Sequence, residues 1–91
     1  MSIALHLPAV LSRLANGQRV LELDGDTVGD VVNDAATRFP QLAARLKDDQ
    51  GQPYAFVTFY LNDDDIRLRD GFGTRVEHGD ELTVVPAIAG G

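Results

Sequence analysis

Between residues 28 and 39 apolar side chains recur at helical spacings: Val28, Val31, Val32, Ala35 and Phe39 share one face, while Asp30, Asn33, Asp34, Thr37 and Arg38 fall elsewhere. The stretch therefore reads as one amphipathic helix with a single core face. The segments on either side are patterned at period 2 instead, as half-buried strands are. A chain of 91 residues encloses one core rather than two, so the apolar stripe has a small sheet to bury itself against. The expected class is α+β, in one domain spanning residues 1–91, with the helix packed across one face of the sheet.

Local signals set the boundaries. Ile3, Leu5 and Leu7 alternate with Ala4 and His6 as a first strand, which Pro8 ends because it has no backbone N–H to donate. Arg19 to Leu23 reads as a second strand after the turn dipeptide Asn16-Gly17, so residues 9–17 are expected to form a wide hairpin connection between antiparallel strands. Asp24-Gly25-Asp26 breaks that strand. Thr27 with Asp30 three positions later resembles a capping box with Asp in place of Glu. Phe39-Pro40 marks the helix end, and Leu42 to Leu46 adds a further turn. Tyr54 to Leu61 is a third strand, rich in aromatic and β-branched residues, with Val57, Phe59 and Leu61 facing inward and Phe56, Thr58 and Tyr60 forming an outer surface. Asn62 to Asp65 is a turn and Ile66 to Leu68 a short edge strand. Gly79-Asp80 turns into a last strand, Glu81 to Pro86. If the first and last strands are neighbours, their inward faces supply most of the core.

Composition narrows the function. Hydrophobic residues make up 44% and charged residues 24%, with 9 Gly and 4 Pro, the profile of an ordinary globular domain. The net charge of −6 opposes binding to nucleic acid or to an anionic membrane. Most of it lies in residues 46–91, where 9 acids face 4 bases, so that half suits a basic partner surface. With no cysteine there is no disulfide, thiol nucleophile or cysteine metal cluster. No secretory signal or membrane-spanning run is present, and the expected compartment is the cytoplasm.

Internal catalytic sites fare poorly. Asp63-Asp64-Asp65 lacks the alternate spacing and the glycine of a calcium loop and reads as a solvated turn. His6 and His78, the 2 histidines, have no second imidazole within helical reach and read as structural. Gly71-Phe72-Gly73-Thr74 has neither the lysine nor the following helix of a phosphate loop. The end of the chain, Ala87-Ile88-Ala89-Gly90-Gly91, is open to two readings. One is a frayed terminus. The other is a tail, from about residue 87 to 91, that threads a narrow channel, because glycine has no Cβ, and presents a carboxylate as a chemical handle. Activating such a carboxylate takes an ATP-using partner.

The strand order, Gly79-Asp80-Glu81 leading into Leu82-Thr83-Val84-Val85-Pro86, and the Gly90-Gly91 end together resemble the MoaD/ThiS group of ubiquitin-like sulfur carriers, which share the β-grasp fold. Phe56-Val57, Tyr60, Asn62-Asp63, Asp65-Ile66-Arg67 and Pro86 to Gly91 resemble the CysO-type carriers of cysteine biosynthesis. The resemblance implies a carrier rather than an enzyme, with no permanently bound cofactor. An E1-like enzyme would adenylate Gly91 with ATP, and a sulfur donor would then convert it to a thiocarboxylate; Gly90 would permit insertion. Recipients would be a PLP-dependent cysteine synthase, with a metalloprotease releasing the product, or the large subunit of a molybdopterin synthase, or thiazole formation in a ThiS-type pathway. A terminus at Gly91 would need no cleavage to expose the handle, and a chain without thiols cannot capture its own acyl-adenylate. Phe56 and Phe72 are the expected docking positions on the exposed sheet. The rival classes are a ubiquitin-like modifier that forms amide bonds to lysines and an interaction domain that never uses its terminus covalently.

Overall fold

In the computed structural model, which describes residues 2–87, strand β1 (Ser2–His6) pairs antiparallel with β2 (Val20–Asp24), placing Ile3 opposite Leu23 and Leu5 opposite Leu21. All four are buried, which is the physical content of the alternation: one period-2 face is turned to the core. The connection between these strands is not the loop expected for residues 9–17. It holds a short helix α1 (Ala9–Ser12) and a 3₁₀ turn over Arg13–Ala15. The Pro8 carbonyl accepts the N–H groups of Leu11 and Ser12, each at 3.0 Å, so the residue that stops β1 starts α1. Leu11 and Ala15 are thereby turned into the core, and Asn16 at φ 56° ends the turn.

Gly25 sits where the chain passes close under the next helix: a Cβ there would lie 2.9 Å from the Val31 nitrogen. Helix α2 (Val28–Arg38) follows, with Val28, Val31, Val32 and Ala35 buried. Its N-terminus is closed reciprocally. Thr27 Oγ1 accepts the Asp30 N–H at 3.1 Å, and Asp30 Oδ2 accepts the Asp26 N–H at 3.2 Å. Replacing Thr27 with alanine orphans one helix donor and should cost about 1 kcal/mol. For a domain of this size that corresponds to a fall of about 6 °C in the thermal midpoint; an unchanged melt would show that the cap contributes nothing. Phe39 breaks the helix, and Pro40 begins α3 (Pro40–Leu46) at its first position, where a missing N–H costs nothing. The further turn expected at Leu42 to Leu46 is thus a separate helix, with Leu42 and Leu46 both buried.

Strand β3 (Val57–Leu61) is shorter than its expected span from Tyr54, because the Tyr54 N–H is used by the Leu46 carbonyl. The edge strand is also displaced. Asp64–Asp65 forms β4 against β3, while Ile66–Leu68 is a 3₁₀ turn. Asp65 Oδ1 accepts the Arg67 N–H at 2.9 Å, which curls the chain and leaves Ile66 buried but Leu68 85% exposed. Strand β5 (Glu81–Pro86) occupies its expected residues. The sheet order is β2-β1-β5-β3-β4, with β1 and β5 parallel at the centre and the other neighbours antiparallel. First and last strands are neighbours, which meets the condition under which their inward faces supply most of the core. Ile3, Leu5, Leu23, Phe59, Leu82 and Val84 meet the apolar faces of α2 and α3 in one core.

Candidate functional site: the open sheet face and the end of the last strand

Because helices cover only one side of the sheet, the residues out of phase with the core form an open face. Register defines it. Val20 stands opposite His6, His6 opposite Thr83, Thr83 opposite Tyr60 and Tyr60 opposite Asp65, while Val85 stands opposite Thr58. Val20 is 47% exposed and Val85 41%, so two apolar side chains face solvent among half-buried polar ones. The sequence reading placed Thr58 and Tyr60 on this outer surface, and there they are. It missed Val20 and Val85. Their signal was available: each is out of step with the core residues of its own strand, Leu21 and Leu23 or Leu82 and Val84.

At one end of this face the last strand ends. Pro86 is the register partner of Val57, and the Ala87 N–H donates to the Phe56 carbonyl at 2.8 Å. The last strand is therefore tied to the chain entering β3 as far as Ala87, the residue expected to begin the tail. Gly90 and Gly91, the expected insertion and activation positions, lie outside the described residues. Phe56 stands beside the end of the last strand, 60% exposed, its ring edge-on to Tyr54 with centroids 5.4 Å apart. Phe72 is placed differently from the expectation. It sits in a 3₁₀ turn (Gly71–Gly73), not on the sheet, half-buried with its ring 5.4 Å from Phe59. A Cβ at Gly29 would come within 3.1 Å of the Phe72 carbonyl oxygen, so this turn is packed closely onto α2.

The charges at the face are organised by short pairs. Arg67 Nη2 lies 2.7 Å from Asp65 Oδ2. The Arg67 guanidinium and its backbone N–H hold the Asp65 carboxyl below the usual carboxylate range, and Asp65 in turn raises the guanidinium. Asp64, itself exposed, is paired with Arg69 at 2.9 Å, so two carboxylates of the acidic run meet cations of the residues that follow. Of the histidines, His6 Nε2 lies 2.9 Å from Glu81 Oε1, and His78 Nδ1 accepts the Ser2 N–H at 3.1 Å. Among the described residues no three His, Asp or Glu side chains converge as metal ligands. The arrangement offers a recognition surface running up to the end of the last strand.

A mixed five-stranded sheet whose first and last strands run parallel at its centre, with helices on one face, defines a ubiquitin-like β-grasp protein. The chain belongs to the ThiS family, whose sequence pattern matches residues 5–91. It is 34% identical over 93 residues to the sulfur carrier protein CysO of Mycobacterium tuberculosis, with 100% of both chains covered. It is 35% identical over 68 residues to small archaeal modifier protein 3 of Haloferax volcanii, covering 75% of this chain and 73% of that one. Among solved structures, a chain in the crystal structure of the Amycolatopsis orientalis BexX/CysO complex superposes with a TM-score of 0.90 at 32% identity, covering 98% of this chain and 99% of that one.

Proposed function

We propose that this protein is a sulfur carrier of the CysO type. The observation that carries the reading is the full-length similarity to a sulfur carrier in a family whose pattern runs through to Gly91. An E1-like partner joins the Gly91 carboxylate to the α-phosphate of ATP, releasing pyrophosphate. A sulfur nucleophile then attacks the acyl carbon, AMP leaves with its electron pair, and a thiocarboxylate remains. Adenylation is needed because a free carboxylate has no good leaving group. The thiocarboxylate sulfur then attacks an electrophile held by a PLP-dependent cysteine synthase, and a metalloprotease frees the cysteine product.

The fold supports this by fixing the reach of the handle. Four residues follow Ala87, and extended chain spans at most about 3.5 Å per residue, so Gly91 reaches about 14 Å beyond the hydrogen bond to Phe56. The partner's reacting centre must lie within that distance of the end of β5. Phe56, Val85 and Val20 supply the apolar anchors of docking, whereas Phe72 offers a partner only the part of its ring not packed on Phe59. Incubation with an E1-like enzyme, ATP and a sulfide donor should raise the intact mass by one oxygen-to-sulfur exchange. A molybdopterin synthase large subunit that accepts the sulfur where a cysteine synthase does not would move the protein to the MoaD branch. The relation to an archaeal modifier favours a second reading, attachment of Gly91 to lysines, which the same experiment would reveal as conjugates.

A further inference from the structure

On the opposite, helical side of the molecule, the turn following α1 packs against α3 and the two leave a groove of about 430 Å³ lined by Val10, Leu11, Arg13, Leu14 and Arg45. Val10 is 54% exposed. The cations here are unlike most others in the chain. Arg19 donates to the Leu7 carbonyl, Lys47 to Asn33, and Arg38, Arg67 and Arg69 to aspartates. Among the described residues, the Arg13 and Arg45 side chains have neither a hydrogen-bond acceptor nor a carboxylate. In a chain with 14 acids and only 8 bases, a groove lined by two guanidiniums and an exposed valine but by no acid is a local patch of opposite sign to the whole.

We propose that this groove docks an acidic segment of a partner protein, its apolar side chains against Val10 and Leu14 and its carboxylates on Arg13 and Arg45. Guanidinium groups suit carboxylates because their planar fork donates two parallel hydrogen bonds. A polyanionic nucleic acid is opposed by the net charge of −6. Since the groove lies on the helical layer, a partner held here does not occupy the open sheet face proposed for loading.

The test is a titration of the isotope-labelled protein with a short synthetic peptide built of Glu and Leu, followed by amide shifts, with a Lys and Leu peptide as control. Saturable shifts at residues 10–14 and Arg45 that weaken as salt screens the charges are expected. The double variant Arg13→Glu, Arg45→Glu should bind about tenfold more weakly. Both side chains are exposed, and an otherwise unchanged amide spectrum would verify that the variant folds. Should it not fold, Val10→Ser provides the same comparison. Equal binding of the lysine peptide, shifts centred on Phe56 and Val85, the same shifts with inorganic phosphate alone or on concentrating the protein by itself, or no shift at all would each overturn the assignment. Loading of Gly91 is read separately by mass and does not bear on this outcome.

Discussion

Deleting Gly91 is expected to abolish thiocarboxylate formation while leaving the melting temperature where it was. The two effects separate because every buried core residue among those described lies between Ile3 and Val84, whereas the proposed chemistry lies beyond Ala87. Gly91→Ala is a finer probe. It keeps the carboxylate but adds a methyl group at the reacting end, and a displacement of about 1 Å at a reaction centre can cost about 100-fold in rate. Single-turnover loading by the activating enzyme, followed by intact mass, measures both variants. Truncation leaves the Gly90 carboxylate one residue short of its proposed reach, so a truncated chain that gains sulfur as readily as the full one would end the assignment of Gly91 as the activated residue.

Phe59→Ala should be the most damaging single change to the body, costing about 3–5 kcal/mol. Phe59 is fully buried on β3, pairs with Val84 and meets Phe72 edge to face. Its removal opens a cavity between the sheet and the helical layer. Domains of this kind hold about 5–15 kcal/mol in total, so the variant should sit near the edge of folding, with its thermal midpoint lowered by about 20 °C. Phe56→Ala, three residues away on the open side, should change stability by no more than about 0.5 kcal/mol. Equal losses in the two variants, read from denaturant midpoints, would contradict the burial of Phe59 and the exposure of Phe56.

Much of this architecture could be read from residue order, and the failures share a cause. Wherever an element is long enough for its period to repeat, as in β1, α2 and β5, the pattern names both its type and its buried side. Residues 9–15 were too few to show a helical period, so α1 and its 3₁₀ turn were hidden in what looked like a hairpin connection. Ile66 and Leu68 alternate as strand residues do, yet a side-chain hydrogen bond from the neighbouring backbone to Asp65 decided their conformation. The open face was half visible. Thr58 and Tyr60 could be assigned from one strand alone, but joining them to Val20 and Val85 required strand order and register, which no single segment encodes. Phe72 showed the limit of hydrophobicity as a guide to surface: an aromatic residue flanked by glycines is as consistent with a plug that closes the core as with a docking anchor.

The position of β5 between β1 and β3 means that the sheet consists of two halves, β2-β1 and β3-β4, which no other strand joins. A nascent chain therefore cannot finish its central seam until its closing segment has emerged from the ribosome. The same residues that complete the seam precede the proposed site of activation, so under that proposal assembly and presentation are one event. An activating enzyme that grips the finished sheet would thus be spared from charging immature copies, a proofreading step written into chain order alone.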